Sequence, residues 1–434
     1  MGFYRGSAVN NSKERALLVG IRRRGQSRHD SHVSLEELHR LVDTAGACVV
    51  GSVFQELESP HPSTFIGSGK VQEIAAWIAK DGIQTIAVDE ELTPVQNRNL
   101  ENALGVKVLD RTAVILDIFA RRARTKEGCL QVELAQLQYI QPRLKGMWQH
   151  FGQQKGGIGL RGPGETQLEV DRRRIREKIT RLRDRIEQVK THRAVNRAKL
   201  ESIPLQLVSL VGYTNAGKST LFNRLTQASV LVENKLFATL DPTVRRITLP
   251  SGREVVLADT VGFIRKLPHA LVDAFKATFE EIAHAQVLIH VVDASDPEAL
   301  QQVRIVEKVL GELGLSHKPT VMVLNKKDCA GERAPGLDGI GLSAVTGEGI
   351  QTLLEQLDEV LRKDFTSTQL LIPLKRGDLI SQLYKMGHIE ALEYRPEGIW
   401  VRCQLQTREF NRLREYRVGP RLLPTRTPPQ VSDP

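Results

Sequence analysis

The sequence has few cysteines, few aromatic residues and no long apolar segment. Its four cysteines, Cys48, Cys129, Cys329 and Cys403, lack the spacing of a metal site or a redox pair, which is typical of reduced thiols in a cytoplasmic protein. Aromatic residues make up 5% of the chain, which argues against extensive stacking of bases on aromatic platforms. No apolar run approaches the roughly 20 residues of a membrane-spanning helix, and residues 16–21 are too few for a signal peptide. We therefore expect a cytoplasmic protein without a membrane span.

Acidic residues are outnumbered by basic ones. The 434 residues include 61 Lys and Arg against 51 Asp and Glu, which gives a formal net charge of +10. Such an excess indicates a polyanionic partner but does not prove one. The hydrophobic content of 41% and the charged content of 26% are ordinary for a globular protein, and the length is sufficient for about three domains.

Residues 207–220 have the pattern of a phosphate-binding loop. An apolar strand runs into Gly-x-x-x-x-Gly-Lys-Ser, and a helical pattern follows, which is the context that this loop requires. Glycines let the backbone approach a polyphosphate closely, so that its N–H groups and the helix N-terminus face the anionic oxygens. Lys218 adds a positive charge at the β- and γ-phosphates, and the Ser219 hydroxyl can bind Mg²⁺. The candidate phosphate-binding residues are Gly212, Tyr213, Thr214, Asn215, Ala216, Gly217, Lys218, Ser219 and Thr220.

Two further motifs belong beside the γ-phosphate. A predicted strand at 253–258 ends on Asp259, Thr260, Val261 and Gly262, where the aspartate can hold the magnesium shell and the glycine lets a backbone N–H meet the γ-phosphate. Residues 237–243 form a candidate switch loop in which Thr239 completes that shell. The nucleotide-binding residues predicted in this loop are Phe237, Ala238, Thr239, Leu240 and Asp241. The predicted metal ligands are Ser219, Thr239 and Asp259.

A second pair of motifs predicts recognition of guanine. Asn325, Lys326, Lys327 and Asp328 follow a buried-strand pattern at 321–324, and Ser343, Ala344 and Val345 follow a short strand-to-loop turn. A carboxylate at Asp328 accepts two hydrogen bonds from the guanine N1–H and 2-amino groups, a donor pair that adenine lacks. A backbone N–H in the second motif can meet guanine O6. Five motifs in this order, each at the end of a strand, predict a domain that binds GTP.

Alternating strand and helix patterns predict an α/β fold class with several units. We expect an N-terminal α/β domain at 16–110, a helical hairpin at 111–200, a phosphate-loop GTPase domain at 206–363 and a small C-terminal α+β domain at 368–420, with a disordered tail at 421–434. Ser34 with Glu37 has the pattern of a capping box that opens a helix. Residues 67–70 (Gly-Ser-Gly-Lys) lack the four-residue reach of a phosphate loop, and both a helix cap and a second nucleotide site stay open for them.

The second helix of the predicted hairpin is strongly basic. A heptad seam runs along it, and residues 171–199 carry twelve Lys or Arg against four Asp or Glu, a net charge of +8. Because a solvated helix face usually mixes both signs, contact with nucleic-acid phosphates is favoured over mere solvation. The loop at 145–165 is long, glycine-rich and positive, which is typical of a functional or a disordered segment. The candidate RNA-binding residues are Lys145, Trp148, Arg161, Arg172, Arg173, Arg174 and Arg176.

From about residue 16 to residue 420 the chain resembles the HflX family of translational GTPases. The matching segments are 213–216 inside the phosphate loop, 259–269 around the second motif, 162–169 before the basic helix, and 132–137. The last two lie outside the GTPase core and separate this family from generic small GTPases. The resemblance implies a cytosolic GTPase that binds the large ribosomal subunit and its RNA and splits or rescues stalled ribosomes. It also implies a monomer away from the ribosome.

The resemblance assigns catalytic roles to Lys218, Thr239 and Gly262 in hydrolysis of GTP to GDP and phosphate, with Mg²⁺ as cofactor. Phe263 stands where many switch GTPases carry the Gln that orients the attacking water, and a phenyl ring cannot do this. We therefore expect slow hydrolysis by the protein alone and stimulation by the ribosome. Asn215 makes K⁺ a further candidate cofactor, because related GTPases use an Asn there to hold a K⁺ that offsets phosphate charge.

Two other functions stay open on the sequence. The chain can be an RNA-binding regulator or ribosome-assembly factor that senses the GTP/GDP ratio and separates nothing. If residues 67–70 form a real second site, the N-terminal part can instead be an ATP-using RNA remodeller.

Overall fold

The computed structural model describes residues 13–25, 27–144, 163–200, 206–227, 236–266, 268, 282–330, 336–362, 365–406 and 412–418. These residues build three sheets, of four, six and three strands, together with a helical hairpin. None of the described helices is long and apolar enough to cross a membrane. The mixed α/β class expected from the sequence is confirmed.

The N-terminal domain is a parallel sheet covered by helices on both faces. Its strands are β1 (Arg15–Arg23), β2 (Cys48–Leu57), β3 (Thr85–Val88) and β4 (Lys107–Asp110), in the order β2-β1-β3-β4. Its helices are α1 (Arg28–Thr44), α2 (Ser68–Asp81), α3 (Pro94–Leu104) and α4 (Arg111–Arg122). Two separate apolar clusters bury the two faces of the sheet, as a parallel sheet requires.

The predicted capping box at Ser34 is wrong. Helix α1 begins six residues earlier, at Arg28, and its N-cap is Ser27, whose hydroxyl accepts from the N–H of His29 at 3.2 Å. Ser34 lies inside the helix, and its buried hydroxyl donates to the carboxylate of Asp89 at 2.5 Å. A tertiary partner therefore decides the role of Ser34, which local pattern cannot show.

Residues 67–70 open helix α2. Gly67 is its N-cap, and the Gly67 N–H donates to the side-chain oxygen of Gln55 at 2.8 Å. The Lys70 ammonium group pairs with Glu73 at 2.6 Å, one turn along the same helix. These contacts are those of a helix start, which is the first of the two interpretations left open above.

Helix α4 packs on the N-terminal sheet, and the hairpin consists of the two helices that follow. They are α5 (Lys126–Ile140) and α6 (Pro163–Leu200). Their seam buries Leu130 and Leu134 of α5 against three residues of α6 at heptad spacing, which are Ile179, Leu182 and Ile186. An ion pair between Lys178 and Glu133, at 2.6 Å, borders this seam. The heptad pattern read from the sequence is thus the contact face of α6.

The central sheet has six strands, β5 (Gln206–Gly212), β6 (Thr243–Thr248), β7 (Glu254–Asp259), β8 (Val287–Asp293), β9 (Thr320–Asn325) and β10 (Ile340–Gly341). Their order is β10-β9-β8-β5-β7-β6, and only β6 runs antiparallel to its neighbour. The helices are α7 (Lys218–Thr226), α8 (Ala299–Glu312), α9 (Lys327–Ala330) and α10 (Ile350–Arg362). The carboxyl ends of the parallel strands place the sequence motifs along one edge.

In the residues described for it, the C-terminal domain is a small antiparallel sheet with one α-helix. Strands β11 (Phe365–Ile372), β12 (Gly387–Arg395) and β13 (Gly398–Gln406) lie in the order β11-β13-β12, and helix α11 spans Asp378–Met386. Leu379 and Leu383 of α11 share a buried cluster with the inward residues of the three strands. The tail expected to be disordered, 421–434, lies outside the described residues.

Candidate active site

Strand β5 carries the phosphate-binding loop from a buried position in the sheet. It lies between β7 and β8, so both of its edges are paired with neighbouring strands. Gly212 at its end has φ 149°, and a Cβ there would lie 2.2 Å from the carbonyl oxygen of Val291 on β8. Only glycine fits this position, because any side chain would push the loop away from the sheet.

Asn325 joins the phosphate-binding loop to the base-recognition loop. Its Nδ2 donates to the carbonyl oxygen of Ala216 at 2.9 Å, and its Oδ1 accepts from the N–H of Ala344 at 3.0 Å. Gly217 has φ 93°, and a Cβ there would lie 2.2 Å from this Nδ2. One buried amide therefore sets the spacing between the loop predicted to hold phosphates and the loop predicted to hold guanine.

The ammonium group of Lys218 is buried against its own loop. Its Nζ donates to the carbonyl oxygens of Gly212 at 3.2 Å and Tyr213 at 2.7 Å. Burial lowers the pKa of Lys218 to about 8, and the nearby charge of Asp259 acts in the opposite direction. An anion at this loop restores the pairing that burial of a cation requires, so the site favours a polyanionic ligand.

Three side-chain oxygens meet beside Lys218. Ser219 Oγ lies 2.7 Å from Thr239 Oγ1 and donates to Asp259 Oδ2 at 2.7 Å, and Thr239 Oγ1 donates to the same Oδ2 at 3.0 Å. Asp259 is fully buried, and its Oδ1 has no hydrogen-bond partner among the residues that the structure describes. Burial raises its pKa despite the bonds from Ser219 and Thr239. Hydroxyl and carboxylate oxygens are the donors that Mg²⁺ prefers, so this set fits that ion.

The base-recognition motif presents one exposed carboxylate. Asp328 is exposed, and hydrogen bonds from Ser343 and then Cys329 hold its pKa below the usual range, so it is an anion ready to accept hydrogen bonds. Lys326 pairs with Asp293 at 2.6 Å. Lys327 pairs with Glu348 at 2.7 Å. In the neighbouring motif Ser343 and Ala344 are buried and Val345 is exposed.

The segment after Asp259 is tied to the phosphate-binding loop through its backbone. The N–H of Phe263 donates to the Gly212 carbonyl at 3.1 Å, and the N–H of Thr214 donates to the Phe263 carbonyl at 2.7 Å. The Phe263 side chain is buried, so it stabilises the loop and cannot orient a water. A Cβ at Gly262 would lie 2.8 Å from both Lys218 Nζ and Thr214 Cα, which makes glycine necessary there. Thr260 and Val261 are buried beside it.

The candidate switch loop has two sides. Ala238 and Thr239 are half-exposed, and Thr239 contacts Ser219 and Asp259, the other two predicted metal ligands. The side chains of Phe237 and Leu240 are buried in the cluster that also holds residues of α4, and Asp241 binds the backbone before α5. The predicted nucleotide contacts of these last three residues can therefore come only from their backbone, and they stay predictions.

The N-terminal domain reaches the phosphate-binding loop through a buried charged network. Tyr213 donates its hydroxyl to Glu37 of α1, and Arg111 of α4 donates to Glu37 and, at 2.7 Å, to Asp89. Asp89 also pairs with Lys266, from the segment after Gly262, at 2.8 Å. Although burial alone would lower the pKa of Arg111, Glu37 and Asp89 outweigh it and raise that pKa.

Of this network only Tyr213 was among the site residues predicted from the sequence, as a nucleotide contact, whereas its hydroxyl binds Glu37. The available signal was Arg111, a charged residue between the apolar runs 108–109 and 113–116, which is an unusual place for an arginine. Its partners could not be found, because they come from α1, from the loop after β3 and from the other domain.

The basic helix α6 presents its cations away from the hairpin seam. Arg173, Arg174 and Arg176 are exposed and Arg172 is half-buried. Two of them make weak ion pairs within the helix, Arg173 with Glu177 at 3.1 Å and Arg174 with Asp171 at 3.8 Å. The other predicted RNA-binding residues, Lys145, Trp148 and Arg161, lie outside the described residues.

A mainly parallel sheet with these loops at its carboxyl edge, with a lysine and an aspartate at the positions predicted for phosphate binding and guanine recognition, defines a phosphate-loop GTPase, a GTP hydrolase. Four family models match the chain in succession: GTP-binding GTPase N-terminal at 32–120, GTP-binding GTPase middle region at 122–199, 50S ribosome-binding GTPase at 207–326, and HflX C-terminal domain at 332–420.

The chain belongs to the HflX family of GTPases. It is 45% identical to GTPase HflX of Caldanaerobacter subterraneus over 94% of either chain, and 48% identical to that of Magnetococcus marinus over 87% of this chain and 89% of the relative. It is 47% identical to GTPase HflX of Escherichia coli K12 over 82% and 85% of the two chains. A solved GTP-binding protein from Sulfolobus solfataricus in complex with GDP is 27% identical, with a TM-score of 0.43, over 80% of this chain and 98% of that one.

Proposed function

We propose that this protein is a cytoplasmic GTPase that binds the RNA of the large ribosomal subunit and uses GTP hydrolysis in splitting or rescuing stalled ribosomes. The observation that carries the proposal is the cationic surface of α6, held on a hairpin beside the GTPase domain. Exposed arginines on a rigid helix are suited to phosphates along a nucleic-acid backbone. The match of residues 207–326 to a model described as a 50S ribosome-binding GTPase supports the choice of partner.

In this proposal the residues of the site have distinct roles in GTP hydrolysis. Lys218 and the backbone of residues 212–217 hold the phosphates, and the backbone N–H of Gly262 meets the γ-phosphate. Ser219 and Thr239 would hold Mg²⁺ with Asp259 in its outer shell, and the ion would offset the charge of the β- and γ-phosphates. Phe263 leaves the attacking water without an orienting amide. Hydrolysis by the protein alone is therefore slow. The ribosome accelerates it by ordering the candidate switch loop and the segment after Asp259.

The first experiment measures GTP hydrolysis by the full chain, alone and with large ribosomal subunits, at two salt concentrations in K⁺ buffer. Strong stimulation that weakens at high salt is expected, because phosphate contacts release counterions. Unchanged hydrolysis despite tight GTP binding would contradict the proposal and favour a nucleotide sensor. Equal rates in matched Na⁺ and K⁺ buffers would remove the proposed K⁺ site at Asn215.

A matched pair of variants tests the basic helix. Arg173→Gln/Arg174→Gln removes two exposed charges from α6, and Arg304→Gln/Lys308→Gln removes two exposed charges from α8. The α6 pair should weaken subunit binding and reduce the salt slope by about one for each lost phosphate contact. The α8 pair should not. Equal effects of the two pairs would show that only net charge matters.

Two further measurements separate binding from ribosome splitting. Deleting residues 146–164, the segment between α5 and α6 together with the first two residues of α6, should leave GTP affinity intact and weaken activity on ribosomes. Sucrose-gradient profiles of 70S ribosomes incubated with the protein and GTP should show release of the two subunits. Binding and stimulated hydrolysis with unchanged profiles would favour an assembly or regulatory factor.

A further inference from the structure

We propose that the first turn of α5 positions the switch loop for the GTPase reaction, and that the carboxylate of Asp241 makes the connection. Asp241 is a positioning residue, because its side chain faces the N-terminal part of the chain and acts through Thr239. The inference rests on the assignment of Thr239 to Mg²⁺ above, and it is independent of the ribosome as partner.

The carboxylate of Asp241 is fully engaged at the N-terminus of α5. Its Oδ2 accepts from the backbone N–H groups of Arg124 and Thr125, both at 2.8 Å, and its Oδ1 accepts from the Thr125 hydroxyl at 2.5 Å. Thr125 is the N-cap of α5, and its Oγ1 accepts in turn from the N–H of Gly128 at 2.9 Å. An anion accepting three hydrogen bonds at a helix N-terminus is a strong and directional contact.

The other side of the segment 239–241 contacts the remaining side chains assigned to Mg²⁺. Thr239 lies two residues before Asp241, and its hydroxyl contacts Ser219 and Asp259. Two residues span only about 7 Å of extended chain, so a shift of Asp241 carries Thr239 with it. The N-cap of α5 is therefore linked, through Asp241 and the backbone, to the oxygens assigned to Mg²⁺ on Ser219, Thr239 and Asp259.

The backbone of the switch loop is held in a conformation that it would not adopt by itself. Phe237 has φ 55°, in the left-handed region that disfavours a bulky residue. Its ring is buried edge-on against Phe119 of α4, with ring centroids 4.7 Å apart, and Leu240 is buried in the same cluster. Packing against the N-terminal domain thus imposes the loop conformation that brings Thr239 to the site.

Helix α5 is the fixed partner in this contact, because its far end is anchored. The Tyr139 hydroxyl donates to Asp110 at 2.9 Å, and Arg143, just beyond α5, donates to the same carboxylate at 3.0 Å. The Arg143 guanidinium also stacks 3.6 Å from the centre of the Tyr139 ring. Asp110 is the N-cap of α4, so the contact ties α5 to the core of the N-terminal domain.

Gly128 supplies a sharp test of this connection. A Cβ at Gly128 would lie 2.3 Å from Asp241 Oδ1, so the variant Gly128→Ala must displace the carboxylate. Alanine is also the better helix former, so the substitution favours α5 itself. The matched control is Gly69→Ala in the first turn of α2, where an added Cβ meets nothing within 4 Å.

The test measures affinities for fluorescent GTP and GDP analogues, their Mg²⁺ dependence, and single-turnover hydrolysis by the full chain. Gly128→Ala and Asp241→Asn should each lower the preference for GTP over GDP about tenfold, equivalent to about 1.4 kcal/mol, and slow hydrolysis. Gly69→Ala should match the unmodified protein in all three measurements. Thr125→Ser, which keeps the hydroxyl, should do so too. The double variant Gly128→Ala/Asp241→Asn should be no worse than either single variant, because both remove the same contact.

Opposite results would overturn the proposal. Normal nucleotide preference in both Gly128→Ala and Asp241→Asn would show that the contact positions nothing, and additive effects would show two unrelated defects. Thermal unfolding of each variant separates a folding defect from a positioning defect. Only a positioning defect is expected to change the ratio of the affinities for GTP and GDP. Thr239→Ala is the benchmark. If Thr239→Ala leaves the Mg²⁺ dependence of nucleotide binding unchanged, the assignment of Thr239 to Mg²⁺ fails. The contact between Asp241 and the N-terminus of α5 is then judged by whether Gly128→Ala changes the rate of GTP hydrolysis.

Discussion

The buried arginine between the two domains allows a quantitative prediction. Arg111 is 1% exposed and donates to the carboxylates of Glu37 and Asp89, which are themselves almost fully buried. The variant Arg111→Met keeps an unbranched apolar side chain and removes the guanidinium group, with its charge and its hydrogen-bond donors. It leaves Glu37 without a cation, whereas Asp89 keeps Lys266 at 2.8 Å.

The expected loss of stability follows from this geometry. Removing one partner of a buried ion pair costs about 3–5 kcal/mol, and the remaining contact with Lys266 places the value near the lower end, about 3 kcal/mol. For an N-terminal domain of about 100 residues, that loss corresponds to a fall in melting temperature of roughly 12–24 °C. The assay is unfolding of the full chain by denaturant and by heat, with nucleotide absent.

The control lies on the same helix. Arg121 is exposed and pairs with Asp117 at 2.9 Å, and the variant Arg121→Met should cost at most about 1 kcal/mol, as surface pairs do. The double variant Glu37→Gln/Arg111→Met should recover at least about 1 kcal/mol, because it removes the carboxylate left without its cation. The reasoning is refuted if Arg111→Met is no worse than Arg121→Met, or if the double variant loses the sum of its two single changes.

Three further predictions concern the site and the hairpin. Asp328→Asn should weaken GTP binding at least about 100-fold, because two charge-assisted hydrogen bonds to guanine are lost. The same variant should improve binding of xanthosine triphosphate, whose 2-carbonyl accepts from the new amide. Competition titration measures both affinities. Gly212→Ala should abolish GTP binding in calorimetry, because its Cβ would lie 2.2 Å from the Val291 carbonyl oxygen and φ is 149°. Leu182→Ala should destabilise the hairpin by about 2–5 kcal/mol, seen as faster hydrogen exchange in α5 and α6, with GTP affinity unchanged.

Each of these predictions has an outcome that contradicts it. Retained guanine selectivity in Asp328→Asn would move base recognition to another residue. Tight GTP binding by Gly212→Ala would mean that the loop relaxes away from β8 without losing its contacts. If Leu182→Ala lowered GTP affinity, packing against α6 would be needed to hold α5 in place, and the anchor at Asp110 would not be sufficient.

The loops at the carboxyl edge of the central sheet could be predicted because the spacing of their residues is local. The phosphate-binding loop, the segment after Asp259 and the motif around Asp328 each follow a strand, and parallel strands bring their carboxyl ends together without further information. The heptad seam of α6 was readable for the same reason, since a helix repeats its contact face at a constant interval.

Contacts between distant parts of the chain could not be predicted from a pattern. The role of Ser34 was mistaken, because its hydroxyl is taken by Asp89, 55 residues away. Asp241 was assigned to the nucleotide, yet its side chain binds the N-terminus of α5, more than 110 residues earlier. In both cases a polar side chain had several satisfactory partners in principle, and only the packing of the domains selected one.

The sequence by itself determined the class of protein and predicted the residues around the phosphates, because backbone geometry and the chemistry of GTP demand those residue types at those intervals. The tertiary structure alone decided how the N-terminal domain meets the site. Arg111, Glu37 and Asp89 carry no local signal of their partners, and they are stable in the interior only because charges of opposite sign arrive there from other elements. Burial of charge is a property of the assembled fold, which no single segment of the chain specifies.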